Sequence, residues 1–188
     1  DENSLVIYNK MVDEIYGSVV QDIRSKKILT KLHRPIYQID KDGKRALSLN
    51  FSRLYRLRPG YGYSNISDPS EGKACPDDDG VGLIQLAWGE DQLIITLKQL
   101  SEINPLPTME GAEHYINHIA FNPSGSRFIF FHLWLSNGRR YNRLVTCGLY
   151  GQNICILTNE GLVSHYTWKS DTELLVTLYL EDIGTYYY

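Results

Sequence analysis

Residues 118–125 read His118-Ile119-Ala120-Phe121-Asn122-Pro123-Ser124-Gly125, and two other stretches of the chain align with them without a gap. These stretches are Ile36-Tyr37-Gln38-Ile39-Asp40-Lys41-Asp42-Gly43 and His165-Tyr166-Thr167-Trp168-Lys169-Ser170-Asp171-Thr172. Each copy of this repeat motif is followed by a run rich in strand-forming residues, at 46–51, 128–132 and 174–178. A strand, a polar turn and a second strand that recur along one chain are typical of blade arrays.

Three predicted hairpins complete the pattern. They span residues 19–30, 82–96 and 144–157, and each joins two apolar runs through a turn that carries glycine or charge. One repeat motif, its following strand and one hairpin together make four strands, which is the content of a propeller blade. The step from His118 to His165 is 47 residues, whereas the step from Ile36 to His118 is 82 because insertions at about 53–80 and 98–117 lie between them.

The sequence therefore predicts an all-β fold of β-propeller-type blades, each an antiparallel four-stranded sheet. We assign residues 1–188 to a single segment, whose blades lie at about 1–32 (partial), 35–98 (with a long insertion), 117–158 and 164–188 (partial). A closed propeller needs at least four complete blades, so we expect an arc of about three to four blades from a larger propeller. Phe121 and Trp168 occupy equivalent positions and should fill the seams between blades.

Composition and charge limit the classes of partner. Hydrophobic residues make up 43% and charged residues 22% of the 188 positions, as is usual for soluble globular proteins. The net charge of −3 gives no general attraction to nucleic acid or to an anionic membrane, so we expect neither as a partner. The sequence contains no signal peptide pattern and no apolar run close to the roughly 20 residues of a membrane span. Localisation stays open, and both ends lie in strand-like runs that look cut from a longer chain.

Three cysteines, Cys75, Cys147 and Cys155, are too few for a disulfide framework. Cys147 and Cys155 are symmetric about Gly151, so a hairpin centred on that glycine would place them opposite each other. Two alternatives stay open: a cross-strand disulfide, or small thiols packed on neighbouring strands.

The repeat motif also resembles a known family. Residues 121–128 resemble the W-S-P-D-G-x-x-I/L phrase of TolB-like propellers, with Asn122 and Ser124 in place of the usual Ser and Asp. The histidine at its head, with Phe130-Phe131-His132 after it, is similar to the oligogalacturonate lyase group of seven-bladed propellers. Uncharacterised bacterial proteins linked with polysaccharide metabolism resemble it as well. In the lyase group, channel histidines bind a metal that acidifies the proton α to a uronate carboxylate, and His118 and His165 match those positions.

Histidines are the candidate metal ligands. His118 and His165 occupy the same place in successive copies of the repeat motif, so they should lie side by side on neighbouring inner strands. Two imidazoles there could share a divalent ion such as Zn or Mn, with His114 as a third ligand and His132 as a weaker fourth. The alternative is that these histidines form hydrogen bonds within the blades or with a substrate.

The first insertion supplies the candidate substrate-binding residues. They are Arg53, Tyr55, Arg56, Arg58, Tyr61 and Tyr63. Guanidinium groups bind carboxylates in a bidentate manner, and tyrosine rings can stack on sugar faces, so this mixture suits an acidic glycan. The alternative is a surface loop whose tyrosines pack on the blade. The run Asp77-Asp78-Asp79-Gly80 lacks the ligand spacing and the closing Glu of an EF-hand, which favours a solvated turn.

Two functions from different classes follow. The first is a non-catalytic scaffold that binds a carbohydrate or a protein and is linked to polysaccharide metabolism. The second is a metal-assisted polysaccharide lyase of the oligogalacturonate type, for which the sequence orients no catalytic base. The outer faces of an incomplete blade array would expose apolar surface, so we also expect self-association through those faces.

Overall fold

The computed structural model describes residues 4–159, 163–180 and 182–188. Residues 1–3, which the blade assignment places in the first partial blade, lie outside the described residues, as do 160–162 and 181. The described strands are β1 (Leu5–Val12), β2 (Ile15–Asp22), β3 (Ile28–Leu32), β4 (Gln38–Ile39), β5 (Arg45–Ser48), β6 (Gly80–Gln85), β7 (Asp91–Thr96), β8 (Glu113–Phe121), β9 (Arg127–Ser136), β10 (Arg139–Gly148), β11 (Cys155–Thr158), β12 (Val163–Trp168), β13 (Leu174–Leu180) and β14 (Gly184–Tyr187). Two short α-helices, α1 (Phe51–Leu57) and α2 (Leu97–Glu102), and a 3-10 turn at Pro107–Met109 lie between strands.

The strands form four antiparallel sheets in chain order. The first sheet is β1-β2-β3, the second β4-β5-β6-β7, the third β8-β9-β10-β11 and the fourth β12-β13-β14. Every neighbouring pair of strands is antiparallel. Strand accounts for 49% and helix for 9% of the structure, which confirms the predicted all-β fold class. No helix within the described ranges has the length and apolar character to cross a membrane.

The turn of the repeat motif has a simple physical basis. In the first two copies the fifth residue is Asp40 or Asn122, and the eighth is Gly43 or Gly125, with φ of 67° and 69°. The glycine N–H donates to the backbone carbonyl of the fifth residue, at 3.0 Å and 2.9 Å. The Asp40 and Asn122 side chains accept further hydrogen bonds from backbone N–H groups just after the turn. In the third copy the Ser170 hydroxyl takes this acceptor role.

The largest apolar core lies between the second, third and fourth sheets. Leu83, Phe130 and Leu144 are among its fully buried members. Phe121 is buried, and Trp168 is partly buried against the same core while its indole N–H points to the Ala120 carbonyl at 3.4 Å. Neither ring is mostly exposed, as their equivalent positions in the repeat motif predict.

The insertions contain the helices. The prediction that residues 53–63 form a surface loop is wrong for their first half because α1 covers 51–57. The Asn50 side chain caps this helix by accepting from the Arg53 N–H at 3.0 Å. The second helix, α2, begins with a capping box formed by Thr96 and Gln99.

The cysteine pair is offset by a bulge. The register of β10 against β11 shifts between Leu144 and Val145, so that Cys155 lies opposite Thr146 rather than Cys147. Cys147 is buried, whereas Cys155 is exposed. All three cysteines are free, and the disulfide alternative is wrong because the shifted register separates the two side chains.

Candidate functional site

A bulge in β8 shapes the candidate site. Asn117 pairs with Phe131 and Ala120 with Ile129, so β8 has one residue more than β9 in this interval. His118 lies in the bulge with φ of 51°, a left-handed conformation that costs an L-residue about 1–2 kcal/mol. Strained backbone of this kind is concentrated at functional sites. Asn and His tolerate positive φ better than most residues, which is the only local signal of this bulge in the sequence.

The bulge places His114 and His118 on opposite faces of the third sheet. The His118 ring lies 5.1 Å from the Phe131 ring, and the His114 ring lies 4.9 Å from the His132 ring. Phe131 and His132 are consecutive strand residues and therefore point to opposite faces. His114 is thus not the third partner of His118 that the sequence predicts, since the inserted residue reverses the alternation of side chains.

His118 is surrounded by aromatic and polar groups from three sheets. Its ring lies 5.9 Å from the Tyr61 ring, and its carbonyl oxygen accepts a hydrogen bond from the Tyr166 hydroxyl. The Asn117 side-chain oxygen accepts from the His118 N–H at 2.8 Å and from the Tyr37 hydroxyl at 3.2 Å. Two buried polar atoms, His118 Nδ1 and Asn117 Nδ2, make no hydrogen bond to any described residue.

Electrostatics keep the His118 ring neutral at pH 7. Burial lowers the pKa of His118, and the positive charges of Arg58 and His165 lower it further. His165 is exposed on β12, and its effect on the pKa of His118 is smaller than that of Arg58. That His118 and His165 lie side by side stays a prediction.

Arg58 and Tyr61 form the exposed part of the site. The guanidinium carbon of Arg58 lies 4.4 Å from the centre of the Tyr61 ring, in a cation–π arrangement. The Arg58 guanidinium makes no hydrogen bond or ion pair with any residue in the described ranges. The buried Tyr115 hydroxyl also has no hydrogen bond of ordinary geometry there, although Arg140 and Arg58 both act to lower its pKa against the larger effect of burial. We call Arg58, Tyr61, Asn117 and His118 the His118 site.

Arg53, by contrast, is a structural residue. It is 1% exposed, and its guanidinium donates to the carbonyl oxygens of His114 at 2.6 Å and Lys73 at 2.9 Å. Further bonds reach the carbonyls of Ser70 and Ala74. These bonds tie the first insertion to β8, and they leave no guanidinium donor for a substrate. The prediction that Arg53 binds substrate is wrong for this reason.

Arg56 and Tyr63 are also engaged internally. Arg56 bridges Asp68 at 3.0 Å and Glu113 at 2.6 Å, and its pKa is raised chiefly by the hydrogen bond to Glu113. The Tyr63 ring stacks on Phe51 at 4.5 Å, and its hydroxyl accepts from Asn9. Among the six predicted residues, only Tyr55, Arg58 and Tyr61 present side chains without such ties, and Tyr55 is 40% exposed.

His114 belongs to a buried chain of hydrogen bonds that the sequence did not reveal. The Arg143 Nε donates to His132 Nδ1 at 3.1 Å, and His132 Nε2 lies 2.7 Å from His114 Nδ1. Because Arg143 can only donate, His132 carries its proton on Nε2 and donates to His114. His114 Nε2 then faces the Met109 carbonyl at 3.5 Å. Burial lowers the pKa of His114 to about 4 and that of His132 well below its usual range.

The donor set does not fit the divalent metal that the family resemblance implies. The proposed third and fourth ligands, His114 and His132, hydrogen-bond to each other on the face of the third sheet opposite His118. Within residues 4–159, 163–180 and 182–188, no group of three His, Cys, Asp or Glu side chains could hold a metal ion. A site with two imidazoles alone falls short of the three protein ligands of a catalytic zinc centre.

Comparisons with known proteins indicate the fold. No protein-family model matches the chain, and no curated protein sequence matches it. Among solved structures, the chain is similar to tricorn protease, a β-propeller-containing protease, with a TM-score of 0.56 and 11% identity over 98% of this chain. It is also similar to hydrazine synthase of Kuenenia stuttgartiensis, with a TM-score of 0.49 and 12% identity over 87% of this chain.

The likeness to tricorn protease shows the fold alone. The chain spans 16% of the tricorn protease chain and 43% of the hydrazine synthase chain. Together with the four antiparallel sheets, the tricorn protease neighbour supports propeller-type blades. Membership of the TolB-like or oligogalacturonate lyase groups stays a prediction.

Proposed function

We propose that this chain is part of a propeller-type scaffold that binds an acidic glycan at the His118 site. The observation that carries the proposal is the Arg58 guanidinium, which lies on the Tyr61 ring and has no anionic partner among the described residues. The other two arginines of the predicted set have carboxylate or carbonyl partners. Arg58 is therefore the guanidinium of this set that an external carboxylate can pair with.

The surroundings of Arg58 suit a carboxylated sugar. The neutral His118 ring and the Asn117 amide carry unsatisfied nitrogen atoms directly behind the exposed pair, and sugar hydroxyls both donate and accept hydrogen bonds. The Tyr61 ring is 41% exposed and offers apolar surface to the C–H groups of a sugar. A binding role requires no catalytic base and no metal. The lyase alternative stays a prediction.

Calorimetric titration of the protein with trigalacturonate and with neutral galactotriose tests this function. We expect the acidic trisaccharide to bind and the neutral one to bind at least tenfold more weakly, because charge-assisted hydrogen bonds are worth more than neutral ones. Arg58→Gln should weaken trigalacturonate binding about tenfold or more. Raising the salt concentration should weaken the wild-type interaction.

The matched control is Arg24→Gln, which removes an equal charge from the exposed turn between β2 and β3. It should leave the affinity for trigalacturonate unchanged. Equal binding of the acidic and neutral trisaccharides, or an Arg58→Gln variant with wild-type affinity, would contradict the proposal.

A further inference from the structure

A second cleft lies between the first and second sheets, apart from the His118 site. Its volume is about 470 Å³, and it is open to solvent. The β2 residue Tyr16, the β5 residue Ser48 and the start of α1 line it, together with residues from the middle and the end of the first insertion. Asp79, at the end of that insertion, is one of its buried side chains.

Asp79 carries a negative charge that no described side chain neutralises directly. Its two carboxylate oxygens accept hydrogen bonds from the Gly80 N–H at 2.7 Å and from Asn50 Nδ2 at 2.8 Å, both neutral donors. The nearest buried cation is Arg53, which bonds to Asp68.

When Asp79 is left out, the charges of the side chains next to it sum to zero. In the buried network beside it, Arg53 and Arg56 balance Asp68 and Glu113. Adding Asp79 leaves this network with one net negative charge, and burial raises the pKa of Asp79 accordingly. A monocation in the cleft would restore neutrality.

The two other acidic groups at the cleft are already paired. Asp78 binds Lys73 at 2.7 Å, and Asp91 binds Arg34. These pairs are exposed and sum to zero charge. The unbalanced charge of the cleft therefore resides on Asp79.

Three serine hydroxyls in the cleft have no partners. Ser48 is 1% exposed, and Ser52 and Ser70 are each 5% exposed. None of the three hydroxyls makes a hydrogen bond to another residue of the described part of the chain, and the Ser48 oxygen is fully buried. Buried hydroxyls are usually hydrogen-bonded, so the unpaired Ser48 hydroxyl indicates a ligand with a donor to offer, and the Ser52 and Ser70 hydroxyls line the same cleft as Asp79.

One wall of the cleft is apolar, and His33, Arg34 and Asn50 are the other polar residues of the lining. The apolar wall consists of Ile15, Tyr16, Pro35, Leu49, Phe51, Ile66 and Pro69. Such a wall suits an aliphatic chain attached to the charged group, because burying methylene groups is favourable. A hydrated metal ion would gain nothing from it.

We propose that this cleft binds a primary ammonium group on a short aliphatic chain, with Asp79 as its counter-ion and the Ser48, Ser52 and Ser70 hydroxyls as acceptors. An ammonium group has three N–H donors and no acceptor, which matches a carboxylate surrounded by hydroxyl oxygens. The same chemistry is carried by the lysine side chain of a partner protein and by a free aliphatic diamine.

An NMR titration with pentylamine and with 1-pentanol at pH 7 tests the proposal, since the two probes differ only in the charged head. We expect pentylammonium to shift the amide signals of Ser52, Ser70 and Gly80, and 1-pentanol to bind at least tenfold more weakly. Asp79→Asn should weaken pentylammonium binding tenfold or more. Ser52→Ala should weaken it about three- to tenfold, the value of one hydrogen bond.

Asp42→Asn is the matched control because it removes the same charge from the exposed turn between β4 and β5, outside the cleft. It should change the affinity less than twofold. Equal affinity for the amine and the alcohol, or wild-type affinity in Asp79→Asn, overturns the proposal. If Asp79→Asn does not fold, Ser52→Ala decides, and an unchanged affinity for pentylammonium overturns the proposal as well.

A comparison of 1,5-diaminopentane with Nα-acetyl-lysine-N-methylamide identifies the source of the ammonium group. Tighter binding of the lysine derivative supports a protein partner, and tighter binding of the diamine supports a free polyamine. Arg58 lies outside this cleft, so Arg58→Gln should not change either affinity. The proposal for this cleft and the proposed function at the His118 site can therefore be refuted independently of each other.

Discussion

At the scale of single residues, burial separates structural arginines from binding ones. Arg53 and Arg58 are five positions apart and look equivalent in sequence. The Arg53 guanidinium is covered by backbone carbonyls of residues 70–114, whereas Arg58 lies on an exposed ring. A buried arginine that loses its partners costs several kcal/mol, so such a group is unavailable to a ligand. The distinction depends on contacts from distant parts of the chain.

The buried histidines make stability depend on pH. The folded pKa of His114 is about 4, below the usual 6.5, so the unfolded chain binds more protons between these values. Stability is therefore complete above about pH 6.5 and falls as the pH drops towards 4. One such histidine contributes about 2 kcal/mol of this loss between pH 7 and pH 5.

Urea unfolding of wild type and of His114→Gln at pH 7 and pH 5 measures this contribution. The variant should lose about 2 kcal/mol less than wild type over the same interval. His33→Gln, which changes an exposed histidine, is the control and should lose as much as wild type. An equal pH dependence in wild type and His114→Gln would contradict the assignment.

At the scale of elements, turns and bulges decide how the sheets meet. The bulge at His118 rotates one end of β8 relative to the other, which aims His114 and His118 at different neighbours. The turn at Gly151, between β10 and β11, meets the second sheet. A Cβ atom at Gly151 would collide with the carbonyl oxygen of Ile94 on β7. This turn is therefore a contact between two sheets as well as a connection within one.

Replacing Gly151 should test that contact. Gly151 has φ of 80°, and Gly138, in the turn between β9 and β10, has φ of 73° with open space around its Cβ position. Gly138→Ala should lower the free energy of unfolding by about 1–2 kcal/mol from backbone strain alone. Gly151→Ala should cost at least about 2 kcal/mol more because β7 must also move. Urea unfolding of both variants measures the two free energies of unfolding. Equal losses of stability would show that the turn at Gly151 does not contact β7 tightly.

At the scale of the whole molecule, the last sheet has one covered and one uncovered face. Leu174, Val176 and Leu178 pack against the core. On the other face Leu175 is 46% exposed and Tyr179 43% exposed. Contiguous apolar surface of this kind marks an interaction surface.

The chain as given should self-associate through this face. Light scattering after size exclusion should show a dimer or larger species, and the double variant Leu175→Lys/Tyr179→Lys should shift it towards the monomer, because two charges would have to be buried. Trp88→Lys is the control, since Trp88 is 75% exposed in a separate hairpin turn. A wild-type monomer across the tested concentrations would refute self-association.

The sequence by itself determined the fold class and the order of the strands. Strand alternation and the Asx–Gly turns of the repeat motif act over a few residues, so they can be read directly from a single chain. The same repeat predicts that His118 and His165 lie on adjacent inner strands.

Only the tertiary structure decided which side chains meet. One inserted residue in β8 places His114 and His118 on opposite faces of the third sheet. Backbone carbonyls from distant parts of the chain accept hydrogen bonds from the Arg53 guanidinium, so that it is buried. The cleft around Asp79 arises where residues from β2, β5 and the first insertion converge. A bulge reverses which face of the sheet the following side chains point to. Long-range hydrogen bonds join segments whose own sequences carry no sign of the contact. Neither can be derived from the periodicity of the sequence.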